Sequence, residues 1–176
     1  MRLGAGGLYV VAAVVVAEDV DVARQAARSV LVRRQPRFHW RNESEERRRV
    51  MLELMCGLDI EARVYVREPI APRRQAGARA LCLNALLWDL WQAGVDDVVL
   101  ESREAHADGA DRRTIVAAQR ARRASPDLAY RFARAIEEPL LWLADALAGA
   151  TSAHVADGAD YLDRLGGIVT RHDIMG

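Results

Sequence analysis

Residues 137 to 150 read EEPLLWLADALAGA, and between Pro139 and Ala150 the only polar side chain, the indole nitrogen of Trp142 aside, is that of Asp145. The apolar periodicity and the length predict a buried helix. Pro139 suits the first helical position, where a missing N–H costs nothing, and Glu137 and Glu138 place negative charge at the positive end of the helix dipole. Leu141, Trp142, Ala148 and Gly149 lie three or four residues from Asp145 and share its face. An isolated ionised carboxylate does not persist in an apolar interior. Asp145 must therefore face a hydrogen-bond donor, an arginine or a metal ion, or take up a proton. Two plainer readings stand beside a functional one: a carboxylate bonded to a neighbouring loop, and a helix closer to the surface than its composition suggests.

Upstream, strand and helix patterns alternate. Leu8 to Ala17 is a near-continuous apolar run, expected to be a central strand of a sheet covered on both faces. Asp19 or Asp21 can cap a helix running to about Leu31. Phe38 to Trp40 reads as extended and leads to Asn42, an N-cap candidate with Glu45 as its capping-box partner. The helix Glu43 to Cys56 pairs Glu43 with Arg47 and Glu45 with Arg49, has Val50, Met51, Leu54 and Met55 as its apolar side, and stops at Gly57. Ile60 to Arg67 alternates apolar and charged residues, the pattern of a half-exposed strand, before Pro69 and Pro72 break the chain.

Arg73 to Ala93 is the longest predicted helix, with Leu83, Leu86, Leu87, Leu90 and Trp91 facing the core and Gly94 as its stop. Val95 to Ser102 is a strand closing on Glu101. HADGAD then forms a loop into a basic helix over about Asp111 to Arg123, with Asp108 or Asp111 as cap. Leu128 to Phe132 is a further strand, DGAD at 157 to 160 is turn and cap chemistry, and Ile168 to Thr170 is a last short strand. The alternation predicts an α/β sheet flanked by helices, in one domain over residues 1–176.

Composition narrows the partners. The chain has 25 basic and 25 acidic residues, so net charge implies no polyanion partner. Every basic residue is arginine, whose planar fork binds phosphates and carboxylates in bidentate geometry, so a nucleic-acid surface can be built locally. Cys56 and Cys82 are too few for a zinc site or a disulfide framework, which fits a reducing cytoplasm. Arg2 followed by Leu8 to Ala17 imitates a secretory signal. The valine-rich run is too short to span a bilayer and ends at an acidic helix start, so a strand is the better reading, and no segment is expected to enter a membrane. With no GxGxxG and no P-loop, nucleotide-binding folds are disfavoured.

In alternating sheets, functional residues gather where strands end and helix termini converge. Glu101 ends an apolar strand, Asp111 follows on the next loop with Asp108 as its alternative, and Asp145 sits on the apolar helix. Three such carboxylates converging would bind magnesium or manganese, and two ions about 4 Å apart can activate water for phosphodiester cleavage. Each also has an ordinary reading, Glu101 as a solvated strand end and Asp111 as a helix cap. His39, in RFHW between Arg37 and Arg41, can hold a phosphate, stack on a base, transfer a proton, or serve as a structural hydrogen-bonder at the rim of a core. Arg47 to Arg49 can extend a phosphate track with Arg120, Arg122 and Arg123, or form a solvated face neutralised by neighbouring glutamates. Ser102, Ser125, Ser152 and the two cysteines lack the context of a covalent nucleophile.

The order LYVVAAVVV, RFHWRNES, VVLES, DRR and EEPLLWLADAL resembles a bacterial RNase H-like family of unknown function, over most of the chain. The resemblance implies a mixed sheet flanked by helices and metal-dependent phosphodiester hydrolysis acting on nucleic acid. It matches Glu101, Asp111 and Asp145 to the family's acidic positions and His39, with Glu43 or Ser44, to its HW and ES signature. Members of that family begin with an acidic DE or DESG strand, whereas only MRLGAGG precedes Leu8 here. The missing leading aspartate implies a weakened or inactive enzyme, and its alternative is a non-catalytic nucleic-acid or protein-binding module.

Overall fold

In a computed structural model describing residues 7–17, 19–71 and 74–175, the predicted alternation of strands and helices is what the chain forms. Strand β1 spans Gly7–Val16, helix α1 Val20–Ser29 and helix α2 Glu45–Cys56. Strand β2 spans Ile60–Ile70, α3 Gln75–Gln92, β3 Asp97–Glu101 and α4 Ala105–Arg120. Strand β4 spans Ala129–Ala133, α5 Leu140–Asp157, α6 Tyr161–Arg164 and β5 Val169–Asp173. The fold is thus α/β, with one sheet in the order β1-β2-β5 and a second pairing β3 with β4. Glu18, Pro72, Arg73 and the segment before Gly7 lie outside the described residues.

The sheet order corrects one expectation. β2, not β1, is the central strand, and among the described residues β1 pairs on one side only. Burial follows: Ala62, Val64, Tyr65 and Val66 of β2 are fully enclosed, whereas β1 buries only Val11. The alternation of charge in β2 hid this, because Arg63 and Arg67 are themselves half-buried and Arg63 pairs with the exposed Glu61. Pro69 lies inside β2 and does not end it.

Capping chemistry sets the helix starts. The Asp19 carboxylate accepts the N–H of Asp21 and so opens α1. Ser44, not Asn42, caps α2 by accepting the N–H of Arg47, because Trp40–Asn42 is occupied by a turn of 3-10 helix. α2 buries Met51, Leu52 and Met55 and leaves Val50 exposed, a face rotated from the expected one. α5 begins one residue after Pro139. Glu138, buried, accepts the Leu140 N–H and holds Arg24 of α1 through two bonds of 3.0 and 2.8 Å. Gly158, at φ +67°, ends α5 in the left-handed conformation that glycine adopts without a Cβ penalty.

The chain divides into two compact units. One comprises Met1–Val11, Tyr65–Phe132 and His172–Gly176; the other comprises Ala12–Val64 and Ala133–Arg171. The core of the second unit joins Trp142, Leu143 and Leu147 of α5 to Met51 and Met55 of α2 and Phe38 of the intervening segment. Within the first, α3 buries Leu83, Leu86, Leu87 and Leu90 as its spacing predicts, while α4 buries Asp111, Ile115 and Ala118. These three α4 residues follow the i, i+4, i+7 stripe of an amphipathic helix. HADGAD is no loop: it lies in the first two turns of α4, and Asp111 is an interior helical residue rather than a cap. Asp108 does the anchoring. Its carboxylate accepts the Arg103 N–H at 2.9 Å and the Ser102 hydroxyl at 2.7 Å.

Candidate functional site

Asp145 has the companions its apolar setting demands. Its Oδ2 accepts the backbone N–H of Trp40 at 2.8 Å and lies 3.0 Å from Nδ1 of His39. Both side chains are 33% exposed, so this face of α5 reaches the surface although the helix is apolar around it. A carboxylate bonded to Nδ1 puts the ring proton there in the neutral tautomer and leaves Nε2 as an acceptor. Nε2 has no partner among the described residues.

The neighbouring tryptophan explains why His39 is held where it is. Trp40 is 5% exposed, meets Tyr161 edge-on at 5.0 Å and carries the Arg48 guanidinium 5.0 Å above its ring. Arg48 also donates from Nε to the Trp40 carbonyl. One turn beyond Asp145, Gly149 leaves the space the indole fills: a Cβ there would stand 2.2 Å from Cγ of Trp40. Asp145 and Gly149 thus pin RFHW onto α5, one by hydrogen bonds and the other by close approach.

The triple arginine is committed elsewhere than to a phosphate track. Arg47 binds Glu43, the Val30 carbonyl and Gln35, and Glu43 in turn accepts from Gln35. Arg48 braces Trp40, and Arg49 pairs with Glu45. Both predicted i,i+4 pairs form, but Glu43 is buried, so its cluster ties α2 to the segment before it instead of lining a solvated face. Ser44 is the α2 cap.

Asp111 and Glu101 belong to the other unit from His39 and Asp145. Glu101 is exposed at the end of β3, as its position predicts. Asp111 is only 3% exposed and is wrapped by guanidinium groups. Arg79 Nε donates to both carboxylate oxygens at 2.8 and 3.0 Å, Arg79 Nη2 reaches Oδ2 at 2.6 Å, and Arg103 Nη2 reaches the same oxygen at 3.0 Å. Burial alone would lower the pKa of Arg79. The hydrogen bonds and charge of Asp111, with a contribution from the Tyr9 hydroxyl, outweigh it and hold the guanidinium above its ordinary value. Two cations already neutralise this carboxylate, so a magnesium or manganese ion would have to displace them. Among the described residues no group of three or more His, Cys, Asp or Glu is placed to hold a metal ion. The donor set around Asp111 therefore does not fit the expected metal centre as it stands.

A surface that sequence reading only grazed lies on the opposite face of α4. Arg112, Arg113 and Arg120 are exposed there, and with Val116 and Ala117 between them they line an open depression. The Arg112 guanidinium lies 5.3 Å over the ring of Phe132 in β4, and Phe132 meets Tyr130 edge-on at 6.2 Å. Asp108 lies near enough to feel the charge of Arg112, and its carboxylate is already bonded to Ser102 and Arg103. The signal was present in DRR followed by Arg120 and in AYRF. The predicted helix contained all three arginines, but sequence alone did not show that they share an exposed face beside Phe132.

A scan against protein-family models finds no match to this chain, and comparisons with curated proteins and with solved structures find none.

Proposed function

We propose that this protein binds nucleic acid through its phosphate backbone, with the exposed arginine row of α4 as the contact face. The observation that carries this reading is the placement of Arg112, Arg113 and Arg120 on one exposed side of a single helix. At 1.5 Å per residue, Arg112 and Arg120 are about 12 Å apart along the axis, enough to engage successive phosphates with bidentate forks. Zero net charge keeps the attraction local. Neutralising three phosphates gives a slope of log K against log salt of about −2 for a single strand and about −3 for a duplex. Fluorescence anisotropy of labelled oligonucleotides between 50 and 200 mM salt tests this. Arg120→Ala is expected to reduce the slope by about 0.7 to 0.9. Absence of binding at the lowest salt, or binding without salt dependence, overturns the reading.

A second reading, an RNase H-like metal-dependent phosphodiester hydrolase, is favoured by one observation: His39 is oriented by Asp145 with Nε2 left to accept a proton. It requires Asp111 to exchange its arginines for a metal ion. Metal-dependent cleavage of RNA or DNA that Asp145→Asn abolishes would establish it. Binding without cleavage would leave the protein a non-catalytic module, and the Asp145 pair a device that holds Trp40 in place.

A further inference from the structure

We infer that the α4 face takes single-stranded rather than duplex nucleic acid, with bases stacked beside the phosphate contacts; this rests on the binding reading above and specifies its ligand. Tyr130 and Phe132 are two residues apart in β4 and so project from the same face of that strand. Both are half-buried, in a strand whose other residues up to Phe132, Ala129 and Arg131, are exposed. Arg112 joins this aromatic pair to the basic row, because its guanidinium carbon lies 5.3 Å from the Phe132 ring centroid, within cation–π range. A guanidinium backed by an aromatic ring offers a planar surface on which an unpaired base can stack, and the Tyr130 ring beside it offers a second. Arg113 and Arg120 are then left for phosphates, which brings the expected single-strand slope to about −1.4 in place of the three-phosphate value. A duplex keeps its bases inside the helix and would use the arginines alone, so the aromatic groups would contribute nothing to holding it. Charge complementarity favours a polyanion, and the juxtaposition of rings with guanidinium groups favours one with exposed bases over an acidic peptide.

The test compares a labelled oligothymidylate of about 15 nucleotides, a duplex of equal length and a polyglutamate peptide in one anisotropy assay with the full chain. The single strand is expected to bind about tenfold more tightly than the duplex. Tyr130→Ala is expected to weaken single-strand binding about tenfold, in the range measured for loss of one stacked base, while leaving the salt slope unchanged. Tyr130→Phe, which keeps the ring, should retain the affinity, and unchanged duplex binding by Tyr130→Ala shows that its loss of single-strand binding is not a loss of fold. Equal affinity for single strand and duplex, with Arg120→Ala still flattening the slope, overturns this inference and spares the arginine face. Failure of both nucleic acids to bind overturns both readings. Polyglutamate binding as tightly as the oligonucleotide overturns the choice of ligand.

Discussion

Replacing Gly149 by alanine should destabilise this protein, although the same change in an open helix stabilises it. Alanine exceeds glycine by about 1 kcal/mol in helix propensity, and α5 is helical on both sides of position 149. The added Cβ would lie 2.2, 2.3 and 2.6 Å from Cγ, Cδ1 and Cδ2 of Trp40. Ordinary carbon contacts are about 3.5 to 4.0 Å, so the indole would have to retreat by more than roughly 1 Å. Its restraints oppose that: Tyr161 against one edge, Arg48 above the ring, and a backbone N–H bonded to Asp145 at 2.8 Å. Overpacking a filled site costs about 1–3 kcal/mol, and a rigid ring held on several sides belongs at the upper end. Subtracting the propensity gain leaves a net loss of about 2 kcal/mol. With an m-value of about 2 kcal/mol/M, the urea midpoint read by circular dichroism would fall by about 1 M. Gly77→Ala, in α3 with nothing within 4 Å of the new Cβ, is the matched control and should hold or raise the midpoint. A Gly149→Ala protein as stable as its parent would refute the placement of Trp40 against α5.

Four further outcomes follow from the interactions described. Asp111→Ala should cost about 3–5 kcal/mol, because Arg79 then keeps a largely enclosed charge without its partner; a urea midpoint within error of the parent would contradict this. Asp145→Ala removes the acceptor of the Trp40 N–H at a part-exposed site and should cost about 1–2 kcal/mol, measured the same way. The Asp108 carboxyl is held below its ordinary value of 3.8 by the Arg103 N–H and then by the Ser102 hydroxyl. A depressed folded-state pKa gives stability that is present above the ordinary value and lost as pH falls through the depressed one, so Asp108→Asn should flatten the decline in stability below about pH 4. Burial pushes the Cys82 thiol up, whereas Cys56 is exposed. A thiol reagent should therefore label Cys56 in the native protein and reach Cys82 only on unfolding, with mass spectrometry of the two peptides as the readout.

The order and type of the elements were legible because apolar periodicity survives in single-sequence form, as in the Leu83–Leu90 stripe of α3 and the run over β1. Strand order was not. A continuous apolar run suggested a central strand, yet among the described residues β1 is an outer strand of its sheet, and the charged alternation of β2 disguised the most enclosed of the described strands. Local polar residues misled in the same way at helix starts. Asn42 and Asp111 have side chains suited to caps, but the caps depend on where the backbone turns: Ser44 caps α2, while α4 opens from Glu104 with no side-chain cap bond and Asp108 in its first turn reaches back to the Arg103 N–H. Asp145 stood out because a carboxylate among apolar residues needs a donor wherever the chain goes; Glu101 and Asp111 were its expected companions and His39 only an accessory, whereas the groups it meets are His39 and the Trp40 N–H. Which donor it meets depends on contacts more than 100 residues apart along the chain, and no local pattern carries that. The predicted helix over about Asp111 to Arg123 already held the arginines of the α4 row, but which of its sides is exposed, and that β4 supplies rings beside it, depends on tertiary contacts.

The clasp of Arg79 and Arg103 around Asp111 has a consequence for the other side of the same helix. It fastens α4 to α3 and to the residues following β3, so the outward arginines stand on a backing that has little ordering left to undergo when a ligand arrives. Association there should show a small heat-capacity change in calorimetry, the signature of docking on a ready surface rather than of folding around a guest. Loosening the clasp with Arg79→Gln would then weaken binding without touching a single group that faces the ligand.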